Sequence, residues 1–92
     1  MILERNWGDR FGEIDIIAKD GDVFVFVEVK TKIGEDFGSP EEMVGYRKLT
    51  QVQRIANTYF PAMKSQKRID VVAIVLNKNL QKVRMDHYQA VY

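Results

Sequence analysis

Residues Val23–Thr31 read Val-Phe-Val-Phe-Val-Glu-Val-Lys-Thr, with β-branched and aromatic residues almost without interruption. Such a run packs well on a pleated surface and poorly in a helix, so it is read as a strand. Asp20-Gly21 stands just before it, a dipeptide favoured in two-residue hairpin turns. Ahead of the turn, Glu13–Lys19 begins by alternating polar and apolar residues, which indicates a second strand. A β-hairpin over residues 13–31 is thus the frame on which the remaining elements must pack.

The next signals are helical. Ser39-Pro40-Glu41-Glu42 has the form of a helix start, with Ser39 as N-cap, Pro40 at the first position and Glu42 closing a capping box. Leu49, Val52, Ile55, Ala56, Tyr59 and Phe60 follow at helical spacing, Gly45 divides a short turn from a longer helix beginning at Tyr46, and Pro61 ends it. Lys32–Gly38 is read as a loop. Arg68–Leu76 is apolar on both faces after Asp70, the mark of a central strand. Asn77-Lys78-Asn79 is a turn, Leu80–Tyr88 an edge strand, and Ile2–Trp7 a further strand at the start. The helix is long enough to act as a right-handed crossover, which makes Val23–Thr31 and Arg68–Leu76 parallel neighbours. The expected fold is α/β, with a helix on a mixed sheet. One helix covers one sheet face, so the other is expected to meet a second copy of the chain or an additional helix.

Ninety-two residues are expected to form one domain, 1–92, or part of one shortened at its N-terminus. With 46% hydrophobic and 29% charged residues the chain is globular rather than disordered. It holds no cysteine, which removes disulfides, thiol nucleophiles and thiolate metal sites. No apolar run approaches membrane-helix length and the first residues lack signal-peptide architecture, so a cytoplasmic setting is expected. Charge is unevenly spread. Residues 1–42 hold five Lys/Arg against eleven Asp/Glu, and residues 43–92 nine against two. The two halves either pair with each other or set a carboxylate cluster beside a surface for a polyanion.

The hairpin locates that cluster. A turn at Asp20-Gly21 pairs Lys19 with Asp22, so Asp15 faces Phe26 and Glu13 faces Glu28. Glu13, Asp15, Phe24, Phe26, Glu28 and Lys30 then share one face, with Asp15 and Glu28 diagonal at roughly 7–8 Å. Like charges on an apolar face are costly, and a divalent cation removes the repulsion. Mg²⁺ or Mn²⁺ suits carboxylate oxygens, with the Val29 carbonyl as a further ligand. Lys30 beside the ion would orient water or hold a phosphate oxygen, which makes a set of parts for metal-assisted phosphodiester hydrolysis. Glu-Val-Lys alone is also an ordinary outer-face strand pattern.

Asp15 followed by Glu28-Val29-Lys30 resembles the PD-(D/E)xK nuclease signature. Gly12–Ala18, Asp20-Gly21, Val25–Thr31, Phe37–Glu42 and Arg68–Ile74, in this order, resemble the YraN-like family of small bacterial proteins, grouped with Holliday-junction-resolvase-like endonucleases. The resemblance implies a restriction-endonuclease-like fold and Mg²⁺-dependent (or Mn²⁺-dependent) cleavage of DNA. Asp15 and Glu28 match the metal-binding acids and Lys30 the catalytic lysine. Glu13 matches a supporting position, and Lys48 or Gln51 is placed on the following helix to complete the site. The family usually begins with a helix carrying a Gly-Glu pair, which this chain lacks ahead of Ile2–Trp7. Lys32, Lys48, Lys64, Lys67 and Arg68 are the candidate DNA-contacting cations; solvated surface charge is their ordinary alternative. Asp70 is a candidate partner for Arg68 or Lys30, with a metal role as the rival. His87, the lone histidine, is read as a surface strand residue. The rival to a nuclease is a non-catalytic nucleic-acid-binding or assembly module on the same fold.

Overall fold

The computed structural model describes residues 1–34 and 38–92. The chain runs β1 (Ile2–Asp9), β2 (Gly12–Asp20), β3 (Val23–Ile33), α1 (Pro40–Val44), α2 (Tyr46–Thr58), a 3-10 turn at Phe60–Ala62, β4 (Lys67–Leu76) and β5 (Lys82–Tyr88). The strands form one mixed sheet in the order β1-β2-β3-β4-β5. Only β3 and β4 run parallel, and α1 and α2 lie in the connection between them. The expected topology is therefore present, and it is consistent with a restriction-endonuclease-like α/β fold.

The hairpin register differs from the expected one. Asp20 pairs with Val23 and Ile16 with Val27, so the turn residues are Gly21 and Asp22. Of these two only Gly21 has positive φ, at 60°. That is the pattern of a II′ turn, which takes glycine at its first central position. The pairing is thus displaced by two residues. A two-residue displacement preserves which face each side chain takes, so Asp15 and Glu28 keep their common side. Strand β3 also extends through Lys32 and Ile33, residues expected in a loop. The part of that expected loop at 35–37 lies outside the described residues.

Helix α1 starts with the capping box formed by Ser39 and Glu42, with Pro40 in its first turn. Gly45 separates it from α2. Leu49, Val52, Ile55 and Ala56 of α2 are buried against Ile14, Ile17, Phe24, Phe26 and Ile69 of the sheet. Leu49, Val52 and Ile55 each contribute roughly 1.5–3 kcal/mol by leaving water, and Ala56 about 0.8, which is what binds α2 to the sheet. Tyr59 closes this core. Its ring meets Trp7, Phe26 and Phe24 edge-on at 5.3, 5.9 and 6.3 Å, and its hydroxyl donates to Glu4 Oε2 at 3.1 Å. Phe60, expected on the same apolar face, is exposed, because the helix has ended at Thr58 and the chain turns into the 3-10 segment. Leu80, expected to open β5, is exposed at φ 62° in the preceding turn.

On the face away from α2, Val25 and Val27 are buried within the single chain. Their strand neighbours there are Ala18 and Ile16 of β2 and Arg68 and Asp70 of β4. Asp70 is fully buried. It accepts from Arg68 Nε at 3.1 Å and from the Ala90 amide at 2.9 Å, and lies 2.8 Å from His87 Nε2. The Val91 amide then donates to the Ile69 carbonyl, so the C-terminal residues are fastened along β4. Val29, on the same face, is half-buried. Ile2, Ile33 and Met85 are exposed apolar side chains that the strand pairing assigns to this face.

Candidate functional site

Strands β2 and β3 part company where the carboxylates lie. Their pairing ends at Ile16 and Val27, and the next free amide on β3, that of Val29, donates to Asp15 Oδ2 at 2.8 Å. A side chain thus takes the place of a backbone acceptor, and the Asp15 carboxylate is held against the β3 residues that flank Val29, Glu28 and Lys30.

Glu28 is 4% exposed and is one of two buried charged residues among those described. Its Oε1 is the only buried side-chain nitrogen or oxygen among them with no hydrogen-bond partner. A buried carboxylate oxygen with nothing to accept is expensive. Burial, and after it the neighbouring Asp15 charge, push the Glu28 carboxyl up to about 7; Lys48 and Lys30 pull the other way. Lys48 Nζ stands 3.9 Å from Glu28 Oε1 but spends its short hydrogen bond, 2.7 Å, on the Glu13 carbonyl. The pair is therefore only partly neutralised by the chain itself.

Helix α2 completes the site from the side. Lys48 and Gln51 are one turn apart on it, and both approach the start of β2. Gly12 shapes that approach. Its φ is 136°, and a Cβ there would stand 2.8 Å from Gln51 Oε1. Only glycine meets both conditions comfortably.

The expected residues separate into two groups. Asp15, Glu28, Lys30 and Lys48 come together, with Gln51 at Gly12. Glu13 contributes its backbone carbonyl to Lys48, while its side chain is exposed. Among the described residues no three His, Asp or Glu side chains form a metal-binding group, so the carboxylates here are a pair. Arg68 stands apart from this site. Its guanidinium is engaged by Asp70 and Asp20, and Asp70 points, with it, to the opposite sheet face. Lys67 is turned onto the carbonyls of Met63 and Ser65. Lys64 is exposed on the segment after α2, and Lys32 is half-buried on β3 beyond Lys30. Asp70 serves as the partner of Arg68 and His87, on the other side of the sheet from Glu28.

The sequence reading passed over three arginines. Arg10, Arg47 and Arg54 line a groove of about 390 Å³ with Phe11, Thr50 and Gln51. They are scattered in sequence, and only the packing of α2 over the β1–β2 turn collects them. The recurrence of Arg47, Gln51 and Arg54 at helical spacing was the available signal.

Among the described residues no helix is long and apolar enough to cross a membrane. The sequence model of the uncharacterised protein family UPF0102 matches residues 1–74. A UPF0102 protein of Dictyoglomus turgidum is 42% identical over 80 residues, covering 84% of this chain and 68% of the relative. One of Thermodesulfovibrio yellowstonii is 45% identical over 75 residues, covering 79% and 67%. One of Nocardia farcinica is 38% identical over 94 residues, covering 99% and 73%. The chain thus spans about two thirds to three quarters of the length of these relatives.

Proposed function

We propose that this chain, which belongs to the UPF0102 family, is a divalent-metal-dependent endonuclease that hydrolyses DNA phosphodiester bonds. The observation that carries the reading is the buried Oε1 of Glu28, without a hydrogen bond, beside the Asp15 carboxylate. That donor set fits a hard cation, since it is oxygen-only, doubly acidic and short of positive charge. Asp15, Glu28 and the Val29 carbonyl would hold Mg²⁺ or Mn²⁺. When bound, the ion supplies an acidified water and charge neutralisation at the phosphate.

The remaining work falls to the chain's own groups. The Val29 amide fixes the Asp15 carboxylate so that it need not reorganise. Lys30 carries its charge on the Glu28 side of β3, where it would stabilise the negative charge that builds on the phosphate oxygens. Lys48, anchored on the Glu13 carbonyl, holds α2 at the site and lowers the cost of ionising Glu28.

Calorimetric titration of Mn²⁺ into the wild type and into Glu28→Gln tests this reading. Saturable binding by the wild type that Glu28→Gln loses, with cleavage of duplex or four-way-junction DNA in the same ion, is the expected result. Absence of binding by both proteins sinks it. A second reading, a nucleic-acid-binding module without catalysis, is favoured by one observation: the described carboxylates make a pair and no larger group. It predicts DNA binding that is indifferent to Glu28→Gln and to Mn²⁺.

A further inference from the structure

Three arginines line one groove where α2 crosses the β1–β2 turn. Arg47, Gln51 and Arg54 share one stripe of the helix, and Arg10 and Phe11 close the groove from the turn. Arg10 Cζ lies 5.0 Å and Arg54 Cζ 6.0 Å from the Phe11 ring centroid. The negative face of an aromatic ring attracts a guanidinium at such distances. Among the described residues no carboxylate lies within ion-pair distance of Arg10, Arg47 or Arg54. The nearby Asp9 spends Oδ1 on the Phe11 amide. The chain as a whole is almost neutral, at +1, so three unneutralised arginines in one groove mark a local concentration of charge.

We propose that this groove binds the phosphate backbone of DNA and leads it to the carboxylate pair. The geometry fits in three ways. Arg47 and Arg54 are seven residues apart, about 10 Å along the helix, which is about three steps of B-DNA measured along the duplex axis at about 3.4 Å each, enough to reach more than one phosphate. Gln51 lines the groove and also abuts Gly12 at the start of β2, so groove and acidic site share a wall. Lys48, next to Arg47, reaches toward Glu28. The cations at Lys67 and Arg68 are instead turned onto protein carbonyls and carboxylates. The groove is therefore the better backbone site.

This inference rests on the proposed DNA substrate but not on catalysis, and one experiment separates the two. Binding of fluorescently labelled duplex DNA is measured by anisotropy across a salt series, for the wild type, Arg47→Ala/Arg54→Ala and Lys64→Ala/Lys78→Ala. All four positions are exposed, and circular dichroism checks that each protein is folded. The expected result is a shallower dependence of log K on log salt for the arginine variant, by about 0.9 for each phosphate it no longer neutralises. The lysine variant, which removes the same charge elsewhere, keeps the wild-type slope. Equal slopes for all three proteins, an equal drop in both variants, or no DNA binding by the wild type each overturn the proposal. Mn²⁺ calorimetry on the arginine variant supplies the separation. A reduced slope with no metal binding in any protein leaves the groove standing and removes the nuclease, whereas intact metal binding and cleavage with an unchanged slope does the reverse.

Discussion

The Val29 amide donates to the Asp15 carboxylate at 2.8 Å, where regular pairing of β2 with β3 has just ended. This one bond ties the first acid of the site to the strand that carries the second. It also leaves Glu28 with one buried oxygen that accepts no hydrogen bond and its carboxyl raised to about 7.

The metal-free protein should lose stability as pH rises between about 4.5 and 7. Below this window Glu28 is protonated in both the folded and unfolded states. Within it the unfolded state releases the proton first, so the folded state binds more protons and is penalised by rising pH. The full effect is on the order of 3 kcal/mol. Urea denaturation across the window should show this slope for the wild type and lose it in Glu28→Gln, which should be the more stable protein at pH 8.

Gly12→Ala should cost about 1–2 kcal/mol, because φ 136° is foreign to a residue with a Cβ. The collision partner, Gln51 Oε1, is the end of a flexible side chain and can swing away. Adding Gln51→Ala should therefore recover little stability. A double variant as stable as the wild type would show that the clash, and not the backbone, set the cost.

Tyr59→Ala should destabilise by about 3–5 kcal/mol, since it empties the place where Trp7, Phe24 and Phe26 meet. Tyr59→Phe should cost less, about 1.5–3 kcal/mol, the net value of a hydrogen bond to the Glu4 carboxylate. Thermal melts of the two variants compare packing with hydrogen bonding at one position.

Asp70→Ala should cost about 1–3 kcal/mol, because it takes their buried acceptor from Arg68, His87 and the Ala90 amide while Arg68 keeps Asp20. The C-terminal fastening should loosen with it. Hydrogen exchange should speed at Ala90 and Val91 more than at the amides of α2, and uniform acceleration would argue for global destabilisation instead.

Much of the local chemistry was legible. The β-branched run of β3, the Ser39 to Glu42 capping box, the Gly45 break and the parallel placing of β4 all follow from propensities and short-range patterns, and all are present. The common face of Asp15 and Glu28 was legible too, since alternation survives a two-residue displacement of register. The register itself was not, because the choice between Asp20-Gly21 and Gly21-Asp22 turns on which residue takes positive φ. Nor was the fate of the charges. Arg68 stands between a DNA contact and a pair with Asp70 until the fold sets Asp20 and Asp70 beside it, and Arg10, Arg47 and Arg54 form a group only once α2 lies over the β1–β2 turn. The elements, their order and the face on which the acids lie depend on neighbours a few residues away, and residue order alone specifies them. Which charges are neutralised and which stand unpaired depends on distances between remote segments, and those distances exist only once the helix has packed on the sheet.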